Sequence, residues 1–159
     1  MDTILVTGCA GFIGSHVCVL LLSKGYQVIG VDNFDPFYAR SVKERNLEAF
    51  RDHPRFSFYD MDITEGLEEV KEKNILAVIH LAAKAGVRPS IEDPAGYIKA
   101  NITGTQKVHE FMLERSIRKL VFASSSSVYG NNEKKPFSED DNVDNPISPY
   151  AFTKKAGEL

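Results

Sequence analysis

Tyr150 and Lys154 stand four residues apart, a spacing that makes them neighbours on one face of a helix. An ammonium beside a phenol favours the phenolate and lowers a pKa that is ordinarily about 10. A tyrosine tuned in this way can act as a general base near neutral pH. Four consecutive hydroxyls, Ser124-Ser125-Ser126-Ser127, follow an apolar run and so fall where a strand ends. Alone, the Tyr-x-x-x-Lys pair is common and mostly marks an exposed helix face. It gains meaning from the hydroxyls and from a glycine loop far upstream.

That loop is Gly8-Cys9-Ala10-Gly11-Phe12-Ile13-Gly14, set between a strand-like run and a helix-like one. Three glycines in this context predict dinucleotide binding. Gly8 permits the tight turn, Gly11 lets the backbone approach a pyrophosphate, and Gly14 lets helix and strand pack closely. The pyrophosphate then meets the free N–H groups at the helix start, including those of Phe12 and Ile13. Asp32 lies 18 residues past Gly14 at the end of the second strand-like run, where an acidic residue holds the adenosine ribose hydroxyls. A carboxylate there repels a 2′-phosphate, and Asn33 rather than Arg comes next, so the expected cofactor is NAD and not NADP. The alternative is that Asp32 only caps its own loop. Asp62 and Ile63, after the third strand, border an adenine or form an ordinary loop.

Short β-branched runs alternate with longer amphipathic stretches. Strands are predicted at Thr3–Thr7, Gln27–Asp32, Arg55–Tyr59, Ala77–Leu81 and Lys119–Ser124. Helices are predicted at Phe12–Lys24, Ser41–Asp52, Gly66–Lys73, from Pro94 or Ala95 to Arg115, and from near Ser148 onward. Residues Gly130–Asn145 read as a polar loop. This alternation implies βαβ units and a parallel sheet covered on both faces. The fold class is therefore α/β, a Rossmann-type doubly wound sheet. Residues 1–159 are expected to form one domain, cut within the helix that carries Tyr150 and Lys154, because no stop signal follows.

A net charge of −3 gives no basic footprint for nucleic acid. No apolar run is long enough to span a bilayer and no secretory signal opens the chain, so a cytoplasmic location and no membrane partner are expected. The two cysteines, Cys9 and Cys18, make no disulfide framework and read as small apolar fillers. His16, His53 and His109 show no ligand spacing, His80 reads as a buried structural histidine, and Glu139-Asp140-Asp141 reads as a solvated acidic face. No metal site is expected.

Taken together, Val6-Thr7-Gly8 through Gly14, His80-Leu81-Ala82-Ala83, Ser124 through Gly130, and Ser148-Pro149-Tyr150-Ala151-Phe152-Thr153-Lys154 span the whole chain. In these motifs the sequence resembles the extended short-chain dehydrogenase/reductase family, in its sugar-nucleotide epimerase/dehydratase branch. Within the branch, Val31-Asp32-Asn33-Phe34 and Ala85-Gly86-Val87-Arg88-Pro89-Ser90 are most similar to UDP-glucuronate 4-epimerases.

The resemblance implies a role for each matching residue. Tyr150 would be the catalytic base, and Lys154 would tune it and hold the nicotinamide ribose. Leu81, Ala82 and Ala83 would line the cofactor. Asn101 would match the family asparagine at the cofactor, or else be a solvated or helix-packing residue. The catalytic hydroxyl falls 25 residues before the tyrosine, at Ser125, with Ser126 as the contender in the serine run. Arg88 would meet a substrate carboxylate, hold a nucleotide phosphate, or shape its loop. Dehydratase relatives carry Asp-Glu where Ser126 and Ser127 stand, and decarboxylase relatives carry a glutamate at Ser127. With neither carboxylate present, the set left is that for reversible hydride transfer at C4 of a UDP sugar through a 4-keto intermediate. UDP-glucose and other sugar nucleotides remain alternative substrates, and an NAD-binding fragment without turnover is the alternative of another class. The relatives carry a further substrate domain and many pair as homodimers, so this stretch alone is expected to be a poor catalyst and a weak dimer or none.

Overall fold

The computed structural model describes residues 2–159. In chain order the elements are β1 (Thr3–Thr7), α1 (Phe12–Ser23), β2 (Gln27–Asp32), α2 (Arg40–Glu48), β3 (Phe56–Asp60), β4 (Ile75–His80), α3 (Val87–Glu92), α4 (Pro94–Ile98), α5 (Gly104–Glu114), β5 (Leu120–Phe122) and α6 (Pro149–Glu158). Short 3₁₀ turns lie at Ile63–Glu65 and Ser126–Tyr129, and a π-helical turn at Lys99–Thr103 joins α4 to α5. Among the described residues no helix is long and apolar enough to cross a membrane.

The residues fall into two compact units. The first runs through Ala82 and resumes over Gly104–Ala123; the second comprises Ala83–Thr103 and Ser124–Leu159. Composition does not mark these boundaries, because one falls inside a helical run and two lie just past strands.

The first unit is a five-stranded sheet in the order β3-β2-β1-β4-β5, with every pair parallel. The order reverses between β1 and β4, the switch point at which such sheets bind ligands beyond their carboxyl ends. Alternation along β1 divides the core. Ile4 and Val6 face one cluster with Cys18 and Leu22 of α1 and Leu47 of α2. Leu5 faces the other with Val108, Phe111 and Met112 of α5. Full burial of one such side chain is worth about 1.5–3 kcal/mol. These two faces hold the loops after β1, β2 and β4 in place.

Several expected boundaries move. Helix α2 ends at Glu48 rather than Asp52, and β3, β4 and β5 shift or shorten by one to two residues at either end. The helix expected over Gly66–Lys73 does not form: a 3₁₀ turn closes at Gly66, and Leu67 and Val70 enter the core from irregular chain. The single long helix expected from Pro94 to Arg115 is interrupted by the π turn. Helix α3 is not anticipated by the sequence, since six residues containing Pro89 offer too little periodicity.

The second unit packs α6 against α3, α4 and the π turn, with the Ser126–Tyr129 turn also against α6. Its polar loop is tied by Tyr129, which stacks on Phe137 at 4.4 Å and donates its hydroxyl to Ser138 O at 3.1 Å. Asp141 departs from the solvated face expected of its cluster. Its carboxylate accepts from Ser138 N–H, Asn132 and Lys134, and these donors hold it below the usual carboxylate range, the Lys134 ammonium foremost.

Candidate active site

In the first unit the glycine loop closes on itself. Gly8 has φ +72°, and a Cβ on it would stand 2.8 Å from Ala82 N. A Cβ on Gly14 would stand 2.1 Å from Gly8 O. Side chains at either place would push apart the loop, α1 and the end of β4. Gly11 precedes α1 in extended conformation, and no side chain caps that helix. Phe12 and Ile13 are 72% and 60% exposed despite being apolar. The start of α1 is thus an open row of backbone N–H groups over a cradle free of side chains, which is what a pyrophosphate requires.

Asp32 closes the other side of the loop. Its Oδ2 accepts from Ala10 N–H at 3.1 Å, and its Oδ1 accepts from Phe34 N–H at 2.9 Å and Lys43 Nζ at 3.0 Å. The Lys43–Asp32 pair is buried. The capping role left open for Asp32 is therefore visible. A carboxylate has about four acceptor positions, so one remains for a ligand hydroxyl. Lys43 escaped sequence reasoning: it lies on a polar helix with no spacing signal to connect it to Asp32. Next to it, Asn33 Nδ2 donates to Asp62 Oδ2 at 3.0 Å, Asp62 Oδ1 accepts from Thr64 N–H at 2.8 Å, and Ile63 is buried. The structure therefore joins Asp32, Asn33, Asp62 and the glycine loop into one rim.

Thr7 and His80 set the end of β4. Thr7 Oγ1 accepts from both Leu81 N–H and Ala82 N–H at 3.2 Å. Its proton then goes to His80 Nδ1 at 2.6 Å, which places the imidazole proton on Nε2, toward Thr105 Oγ1 at 3.0 Å. His80 is the buried structural histidine expected. Burial pushes the Cys18 thiol up to about 12 and the Cys9 thiol well above its ordinary value, so both stay protonated fillers. His16 and His53 make local hydrogen bonds to Phe12 O and from Arg55 N–H.

In the second unit, α6 begins with Pro149, which has no N–H to satisfy. Ser148 Oγ accepts from Ala151 N–H at 3.0 Å, and Ser90 Oγ accepts from Tyr150 N–H at 3.1 Å. This helix start is closed, in contrast to that of α1. Tyr150 is half-buried one turn before Lys154, and Tyr97 meets its ring edge-on at 6.1 Å. Lys154 is 5% exposed, and burial pushes its pKa down to about 8. It remains largely an ammonium at neutral pH, in a place where little water screens it.

Ser125 Oγ accepts from Ser127 N–H at 3.2 Å as it opens the 3₁₀ turn, which leaves its proton to donate elsewhere. Ser126 is exposed, and Ser124 donates to Glu158. Arg88 is exposed on α3. Ala83 is exposed ahead of it. Asn101 lies in the π turn. It is 2% exposed, its Oδ1 accepts from Lys84 N–H at 2.8 Å, and its Nδ2 donates to Lys84 O at 2.9 Å and Thr153 Oγ1 at 3.0 Å. Its amide is engaged inside the unit, as the helix-packing alternative has it. Among the described residues no group of three or more His, Cys, Asp or Glu side chains could hold a metal ion.

With this geometry in hand, the family described as GDP-mannose 4,6 dehydratase matches residues 5–159. The chain belongs to that family. It is 48% identical over 162 residues to the UDP-glucuronate 4-epimerase of Thermodesulfobacterium geofontis, covering 100% of this chain and 50% of that protein. The structure of UDP-glucuronic acid 4-epimerase from Bacillus cereus in complex with UDP-glucuronic acid and NAD is similar with a TM-score of 0.83 and 38% identity, covering 98% of this chain and 50% of that one. UDP-glucose 4-epimerase from Bifidobacterium longum in complex with NAD+ and UDP is similar with a TM-score of 0.86 and 34% identity, covering 99% and 47%. The chain thus spans about half the length of the curated relatives it matches. The extended short-chain dehydrogenase/reductase resemblance and the Rossmann-type fold both hold.

Proposed function

We propose that this protein is an NAD-dependent epimerase acting at C4 of a UDP sugar, with UDP-glucuronate as its substrate. The observation that carries the reading is the turn of α6, where a buried ammonium at Lys154 sits one turn from Tyr150. Similarity to proteins named UDP-glucuronate 4-epimerase supports the choice of sugar.

The residues of the first unit fit NAD: the cradle at Gly8 and Gly14 is one that a Cβ would fill, and α1 opens without a cap. Phe12, Ile13 and Gly14 would hold the pyrophosphate by backbone N–H groups, and Gly11, whose own N–H donates to Gly8 O, would let the backbone approach it. Asp32 and Asn33 would hold the adenosine ribose, with Asp62 and Ile63 beside the adenine. Leu81, Ala82 and Ala83 would line the remainder, and Lys154 would hold the nicotinamide ribose. When bound, NAD supplies a hydride acceptor that returns what it takes.

The proton chemistry belongs to the chain. Ser125 would hydrogen-bond the C4 hydroxyl and orient it. Tyr150, one turn from the Lys154 ammonium, would remove that proton as the C4–H bond breaks, leaving a 4-keto sugar. The same phenol would return the proton once the sugar presents its other face. Arg88 would meet the C6 carboxylate or a nucleotide phosphate. Ser126 and Ser127 offer no carboxylate for loss of water, which favours epimerisation over dehydration. Pairing of two copies and a cytoplasmic location belong to the same proposal.

Tyr150→Phe in the full-length protein tests it. Turnover of UDP-glucuronate should fall by about 10²–10⁴-fold, the range for losing a positioned base. NAD binding, followed by calorimetry, should be retained. Turnover within twofold of the parent would refute the role of Tyr150.

A further inference from the structure

Tyr150 is held at both ends of its own peptide units. Its N–H donates to Ser90 Oγ, a fully buried hydroxyl whose own proton goes to Val87 O at 2.6 Å. Its C=O accepts from Thr153 Oγ1 at 2.8 Å, the backward bond common for threonine within a helix. Thr153 is fully buried between the two residues that carry the chemistry, and it does more than bond its own helix. It also accepts from Asn101 Nδ2 at 3.0 Å.

Asn101 sits in the π turn, an irregularity that often marks a functional position in a helix. Its amide is joined to both the N–H and the C=O of Lys84. The chain Lys84–Asn101–Thr153–Tyr150 is continuous through buried side chains, and Val87–Ser90–Tyr150 reaches the same residue from the other side. Both begin in the stretch Lys84–Ser90, which contains Arg88.

We propose that Thr153 is a positioning residue: with Asn101 and Ser90 it fixes the first turn of α6 against the Lys84–Ser90 segment, and so aligns Tyr150 and Lys154 for proton transfer. This rests on the function proposed above. Thr153 touches no reacting atom, so its removal should act on the chemical step and leave binding intact. A misplacement of about 1 Å can cost about 10²-fold in rate.

The test uses the full-length protein with UDP-glucuronate as probe. Thr153→Val keeps the shape and removes the hydroxyl; Thr153→Ser keeps the hydroxyl and removes the methyl. Thr153→Val should lower kcat about tenfold to a hundredfold, with KM and NAD affinity within about twofold, and Thr153→Ser should restore kcat to within about threefold of the parent. If kcat is retained in Thr153→Val, or falls equally in Thr153→Ser, the proposal is overturned. Should Thr153→Val fail to fold, Ser90→Ala applies the same criterion from the N–H side of Tyr150. Should the parent itself not epimerise, the proposed function falls, and amide hydrogen exchange then tests the clamp separately. Exchange at residues 150–154 about tenfold faster in Thr153→Val but not in Thr153→Ser supports it; equal exchange in all three overturns it.

Discussion

Burying an ammonium is unfavourable, and for Lys154 the desolvation lowers its pKa from 10.5 to about 8. The sign of the pH dependence follows. Between those two values the unfolded chain binds the proton and the folded chain does not, so stability contributed at this site rises with pH from about 8 and levels off near 10.5. Below about 8 both states are charged and the full penalty is present. A gap of this size corresponds to about 3 kcal/mol. The stability difference between Lys154→Met and the parent should therefore shift in favour of the parent as pH rises from about 8 to 10.5. Denaturant unfolding of parent and variant across that range checks this, and a constant difference would contradict it. Tyr150, Lys154 and the three glycines could be singled out in the sequence because their residue types and spacings suit particular chemistry, whereas Ser125 was picked from a run of four serines by resemblance alone. Lys43, Ser90 and Thr153 were not, because each acts through a partner that only the fold brings near.

At the scale of elements, the loops beyond β1, β2 and β4 are held by two polar knots. In the first, Asp32 bonds Ala10 N–H, Phe34 N–H and Lys43. Removing the carboxylate strands a buried ammonium, whereas removing the lysine leaves a carboxylate that still has two backbone donors. Asp32→Ala should therefore cost about 3–5 kcal/mol, the range for breaking a buried pair. Lys43→Met should cost distinctly less, and the double variant Asp32→Ala/Lys43→Met less than Asp32→Ala alone. Equal losses in the two single variants, by denaturant unfolding, would mean that the backbone bonds to Asp32 do not matter. In the second knot, Thr7→Val would leave Ala82 N–H and His80 Nδ1 without the threonine hydroxyl. A loss of about 1–3 kcal/mol is expected for each group left buried and unsatisfied. Calorimetry should also show weaker NAD binding, because the Leu81–Ala82 backbone that Gly8 abuts is no longer fixed. Unaltered affinity would separate the knot from the cofactor rim. The strands were read within one or two residues because apolar β-branched runs declare them. The missing helix at Gly66–Lys73 shows the limit of that approach: Leu67 and Val70 have helical spacing, yet they reach the core from irregular chain after the turn that ends at Gly66.

For the whole molecule, a parallel sheet in the order 3-2-1-4-5 and family membership agree on what kind of protein this is. The division into two units was invisible in the residues, since no linker or change in composition accompanies it. Substrate identity belongs at this scale as well, because the relatives are about twice as long as this chain. The central claim is reversible inversion at C4 without loss of any group from the sugar. The most direct measurement is proton NMR of UDP-glucuronate incubated with the full-length protein and NAD. UDP-galacturonate should grow to an equilibrium mixture, with no net NADH, no carbon dioxide and no dehydrated sugar. Unchanged substrate, or a product that has lost water or its carboxylate, would contradict it; conversion of UDP-glucose instead would keep the C4 chemistry and overturn the choice of sugar.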